Sequence, residues 1–124
     1  MAAIVIKPLT PQEVEERLAR DLPGWRLVDG ELRRRFATHG WKGSLMVANA
    51  IGHLAEVAWH HPDLVVSYGG VEVRLSTHSP KGITARDFAL AAQIDAVVLW
   101  QPARDGILEG TPEDPGAAYL KDKA

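Results

Sequence analysis

Two short turns, each set between alternating strands, leave this chain very few folds. Trp25–Val28 and Glu31–Phe36 flank Asp29-Gly30, and Leu64–Tyr68 and Val71–Ser76 flank Gly69-Gly70. Asp-Gly and Gly-Gly readily take the backbone angles of two-residue loops, so each pair is predicted to be an antiparallel hairpin. A helical segment precedes each hairpin. Thr10-Pro11-Gln12-Glu13 is a capping box with proline at the first helical position, which predicts a helix from about Pro11 to Arg20, stopped at Leu22-Pro23-Gly24. Trp41, Leu45, Ala48, Gly52, Ala55 and Trp59 follow helical spacing. Met46, Val47, Ala50, Ile51 and Leu54 widen that stripe beyond what one sheet can cover. Thr84 and Asp87 form a second capping pattern and start a helix through about Trp100, ended by Pro102.

The order α-β-β-α-β-β-α predicts an α+β domain, an antiparallel four-stranded sheet with helices on one face. Val71, Val73 and Leu75 alternate toward the helices; Glu72, Arg74, Ser76 and, if the strand stays regular, His78 alternate toward the open face. The earlier hairpin breaks this rule, because Arg34 falls in line with Leu32 and Phe36. We expect one domain over residues 1–102 and an extension over 103–124, a strap laid over the domain and partly disordered at its end. The surplus apolar surface, above all Val97–Trp100, predicts a homo-oligomer, a dimer or a tetramer.

A formal charge of −2 supplies no field for nucleic acid, and Arg33-Arg34-Arg35 beside Glu31 reads as a solvated strand face. Without cysteine there is no disulfide framework and no thiolate zinc site, so a reducing, cytoplasmic location is expected. Met1–Lys7 is too short for a signal-peptide core, and no apolar run reaches membrane length.

Chemistry concentrates between Glu56 and Asp87, where His60, His61 and His78 accompany two carboxylates. Imidazole changes protonation near neutral pH, so the cluster points to proton transfer or metal binding. Adjacent histidines in extended backbone face opposite ways, so His60 and His61 are not expected to share one ion; a three-histidine site that adds His78 is the metal alternative. The structural alternative is that Asp87 only completes a helix cap, His60 and His61 form a polar loop, and Pro62 stiffens the turn.

Glu56-x3-His60-His61-Pro62, the aromatic Tyr68, Ser76-Thr77-His78, Gly82-Ile83-Thr84 and Asp87 together resemble the signature of the pterin-4a-carbinolamine dehydratases. These are small dimeric or tetrameric α+β proteins, also known as dimerisation cofactors of a homeodomain transcription factor. The resemblance covers about residues 20 to 100. It implies loss of water from a 4a-hydroxytetrahydropterin without metal or organic cofactor. His60, His61, His78 and Asp87 would be catalytic; Glu56, Pro62, Tyr68, Ser76 and Thr77 would touch the substrate or hold the histidines. Two departures stand out: Leu64, where active relatives often carry an aromatic, and Ser79-Pro80-Lys81-Gly82, where their loop is small and acidic or glycine-rich.

Trp41-Lys42-x-Ser44 through Ala55, with Trp100-Gln101-Pro102 and the tail, is similar to the carboxysome-associated, dehydratase-like branch described as a RuBisCO assembly factor. That resemblance implies a chaperone for a RuBisCO client with little or no dehydratase activity, cytoplasmic and carboxysome-associated. The departures favour it over the active dehydratase, which is the alternative. A transcriptional coactivator is a third reading and would need a partner helix for the apolar helices.

Overall fold

The computed structural model describes residues 6–114 and 116–121. The expected disorder at the chain end concerns residues 122–124, outside the described residues. Helix α1 (Pro11–Asp21) opens on the reciprocal cap that the sequence predicts, Thr10 Oγ1 accepting from the Glu13 amide and Glu13 Oε1 from the Thr10 amide. The chain continues through β1 (Arg26–Val28), β2 (Glu31–Ala37), α2 (Trp41–Ala58), β3 (Asp63–Ser67) and β4 (Gly70–Leu75). The two-residue strands β5 (Thr77–His78) and β6 (Lys81–Gly82) follow, then α3 (Ala85–Val98) and the short α4 (Pro102–Asp105). Strands β1 to β4 form one antiparallel sheet in the order β1-β2-β4-β3.

The first turn is as expected, with Asp29 at φ 51° and Gly30 at φ 75°. The second is shifted by one residue: Ser67 pairs with Gly70, so the loop is Tyr68-Gly69 and Gly70 opens β4. Gly70 is glycine because the space is taken, since a Cβ there would sit 2.7 Å from the Arg35 guanidinium and 2.8 Å from the Phe36 carbonyl. The segment read as a plain loop, Ser79 to Gly82, instead includes the β5–β6 pairing of Thr77 with Gly82 and His78 with Lys81.

Leu32, Phe36, Val71, Val73 and Leu75 are fully buried against Val14 and Leu18 of α1, Val47 and Ile51 of α2, and Phe88, Ala91 and Ile94 of α3. The opposite sheet face is ionic, with Arg33 on Glu31 and Arg74 on Glu72. Arg34, the residue out of pattern, does face the core side. Asp95 Oδ2 of α3 meets its guanidinium at 3.3 Å, which lies 4.7 Å over the Phe36 ring, while Trp25 Nε1 donates to Asp95 Oδ1 at 3.0 Å. This inward cation ties the first hairpin to α3. Burial raises the Asp95 pKa above its usual value, against the opposing effects of the Trp25 hydrogen bond and the Arg34 charge.

Helix α2 leaves Trp41, Leu45, Met46 and Val57 exposed, as its wide apolar stripe implies. The extension is packed as a strap: His39 N donates to Tyr119 O, Lys121 N donates to Ala37 O, and Leu120 bridges to Thr38. A Cβ at Gly43 would meet the Tyr119 carbonyl at 2.8 Å, so this glycine lets the strap sit down on α2. The boundary expected at 102/103 falls inside α4, and Tyr119 and Leu120 pack against the core of the domain.

Candidate functional site

The end of α2 sorts the two adjacent histidines. His60 N donates to Ala55 O and Trp59 N to Glu56 O, closing the helix with Trp59 in the left-handed region at φ 51° and ψ 47°. A side chain pays roughly 1–2 kcal/mol there, which glycine would not. The reversal turns His60 inward, its side chain 15% exposed, and His61 outward at 49%.

His60 Nε2 lies 2.7 Å from Asp87 Oδ1, and Asp87 is completely buried. The other carboxylate oxygen accepts from Thr77 Oγ1 at 2.7 Å and from the Thr84 amide at 2.9 Å. Thr77 and Thr84 hydroxyls are 2.8 Å apart, and Thr84 Oγ1 also accepts from the Arg86 amide. Since the Thr77 proton goes to Asp87, Thr84 must donate to Thr77, and every polar atom of the buried group is then satisfied. Facing a carboxylate, His60 Nε2 is the protonated nitrogen, which leaves Nδ1 for a ligand. His61 Nε2 makes the matching contact with Glu56 Oε1 at 2.6 Å, in the open, and Trp59 meets the His61 ring edge-on at 4.9 Å between centroids.

Asp87 is thus both the helix cap and the anchor of a histidine; the two readings describe one carboxylate. Alternation holds through Leu75, Ser76, Thr77 and His78, with Thr77 buried and His78 exposed on the opposite face. His78 therefore follows the anchored Thr77 in the chain but does not turn toward Asp87. Ser76 and Pro62 are half-buried, and Ser76 alternates to the face opposite Thr77. Tyr68 is not brought to this group. It sits in the β3–β4 turn, 74% exposed, at the far end of a five-residue strand that spans roughly 17 Å. Leu64 packs with Val66 against the core, on the helix side of the sheet. His60 and His61 engage carboxylates in different environments, and among the described residues no group of three or more His, Asp or Glu side chains is arranged to hold a metal ion.

Four residues took no site role in the sequence reading. Thr84, read as a cap and as part of the family signature, also relays a hydrogen bond to Thr77. Trp59 carried no signal, since glycine is the usual residue at a left-handed helix end. Arg86 and Gln93 line a groove of about 610 Å³ between α2 and α3, together with Trp59 and His60. A larger cavity of about 990 Å³ lies under the strap, beside Trp100 and Leu108, and touches none of His60, His61 and His78. Of these two hollows, the smaller is the one lined by a histidine of the cluster, His60.

The family model for pterin 4 alpha carbinolamine dehydratase matches residues 7–97. A protein of Aquifex aeolicus named "Putative pterin-4-alpha-carbinolamine dehydratase" is 44% identical over 94 residues, which are 76% of this chain and 94% of that one. The crystal structure of a transcriptional coactivator/pterin dehydratase from Brucella melitensis superposes with a TM-score of 0.68 at 32% identity, covering 74% of this chain and 99% of that chain. A pterin dehydratase-like protein identified as a RuBisCO assembly factor in the alpha-carboxysome gives a TM-score of 0.51 at 23% identity, over 60% of this chain and 89% of that one, a likeness of fold. Among the described residues no helix is long and apolar enough to cross a membrane. With the sheet order, the anchored histidine and the match over residues 7–97 in agreement, this chain belongs to the pterin 4 alpha carbinolamine dehydratase family.

Proposed function

We propose that the protein is an active hydro-lyase that removes water from a 4a-hydroxytetrahydropterin. The observation that carries this reading is the fully buried Asp87, which takes hydrogen bonds from Thr77, from the Thr84 amide and from His60 Nε2, so that Nδ1 is the basic nitrogen of His60. In the reaction the C4a–O bond breaks, the leaving hydroxyl takes a proton, N5 loses its proton and an N5=C4a double bond forms; water and the quinonoid dihydropterin are the products. His60 is assigned as the base at N5–H, because Asp87 stabilises the imidazolium that forms. His61, steadied by Glu56, or His78 supplies the proton to the hydroxyl. The test is stopped-flow dehydration of freshly generated substrate by the wild type, His60→Ala and His78→Ala. Rates that collapse in both variants support the assignment; a wild-type rate at the uncatalysed background overturns it.

A second reading, the RuBisCO assembly factor with a carboxysome location, is favoured by one feature. The chain beyond residue 97, outside the family match, folds into α4 and the strap and holds Ile107 and Leu108 out in solvent at 98% and 58% exposure. Tyr119 is part-buried and holds the strap, so Leu108→Ser is the informative variant. RuBisCO assembly yield that this variant leaves unchanged counts against the chaperone. For either function we propose a homo-oligomer that covers Trp41, Leu45 and Met46 of α2.

A further inference from the structure

The groove beside His60 has a chemical bias that the dehydration itself does not require. Its α3 wall is one stripe, Arg86, Leu90 and Gln93, and seven residues of helix set Arg86 about 10 Å from Gln93. Val57 and Leu54 form the α2 wall, and the exposed Trp59 stands at the rim. Of the residues lining the groove, Arg86 carries a permanent positive charge and none is acidic. The Arg86 amide is used on Thr84, but no described carboxylate lies within ion-pair distance of its guanidinium. The nearest acid in sequence, Asp87, is turned away and buried with its hydrogen bonds filled. A planar cation at one end of an apolar groove, an amide further along the same stripe and no competing anion make a receptor for a negatively charged group.

We propose that this groove binds the side chain of the pterin and selects substrates in which that side chain carries an anion, a carboxylate or a phosphate, with Arg86 as its counter-ion. The inference rests on the dehydratase reading for its substrate, and the test separates the two. Calorimetric titration compares neutral 6-hydroxymethylpterin, its phosphate ester and pterin-6-carboxylate on the wild type, Arg86→Met and Arg86→Glu; dehydration kinetics use the matching 4a-hydroxytetrahydropterins.

The expected result is about tenfold tighter binding of an anionic pterin than of the neutral one, and a matching ratio of kcat/KM. That preference shrinks with added salt, disappears in Arg86→Met and reverses in Arg86→Glu. The ester and the carboxylate, compared with each other, identify which anion the groove takes. Selective binding without turnover of any pterin would support the groove and overturn the dehydratase reading. Equal affinity for all three ligands, a preference that survives Arg86→Met, or no binding because a second copy of the chain covers the groove would each overturn the inference.

Discussion

Asp87 offers the sharpest test, because one carboxylate holds both the fold and the histidine. Asp87→Ala removes the acceptor of three hydrogen bonds, from His60 Nε2 at 2.7 Å, Thr77 Oγ1 at 2.7 Å and the Thr84 amide at 2.9 Å. Thr77 can turn its hydroxyl toward Thr84, but the buried Thr84 amide and the His60 N–H lose their partner, at about 1–3 kcal/mol each. The sum is about 4 kcal/mol, a large share of the roughly 5–15 kcal/mol that holds such a domain together. With an unfolding entropy of about 2.1 cal/mol/K per residue over 124 residues, the melting temperature should fall by about 15 °C. Asp87→Asn separates stability from chemistry. Its amide oxygen can still accept from Thr77 and Thr84, at a cost of about 1 kcal/mol, or about 4 °C. Its NH2, however, now faces His60 Nε2 and forces the imidazole into the other tautomer, with Nδ1 protonated and useless as a base. Dehydratase activity should drop by about 10²–10⁴ in a folded protein. Urea unfolding followed by circular dichroism reads the first effect and stopped-flow absorbance the second. An Asn variant with full activity would refute the tautomer argument, and an Ala variant as stable as the wild type would refute the network.

Other outcomes follow from single contacts. Thr77→Val leaves Thr84 Oγ1 without its acceptor and Asp87 with one donor fewer, and should cost about 1–3 kcal/mol in urea denaturation. Gly43→Ala places a methyl against the Tyr119 carbonyl and should lift the strap, seen as faster hydrogen exchange at His39 and Lys121, whose amides bond across that contact. Because burial raises the folded-state pKa of Asp95 above the ordinary carboxylate value of 3.8, the native state binds more protons than the unfolded chain between that value and the folded pKa. The stability it contributes is full below 3.8 and is lost as pH rises through the folded pKa. The urea midpoint of the wild type relative to Asp95→Asn should therefore fall as pH rises above 3.8, and a rising difference would show the sign to be wrong.

The sequence alone determined the order of the three main helices and the four strands of the sheet, the two capping boxes, the core-facing residues Val71, Val73 and Leu75, and the histidine and carboxylate cluster. These are local properties: capping boxes, periods of 2 and 3.6, and turn residues act over a few positions. The inward Arg34 was visible only as a break in alternation, since its partner Asp95 lies sixty-one residues away and is brought opposite by α3 packing on the sheet. Tertiary structure decided which of two adjacent histidines meets the buried carboxylate, because that choice hangs on the left-handed backbone of Trp59, a conformation that its residue type does not advertise. It also separated Tyr68 from the site by the length of β3, shifted the second turn to leave room for Arg35 over Gly70, and laid Tyr119 on Gly43. Each of these depends on atoms distant in sequence competing for one space, which no local pattern records.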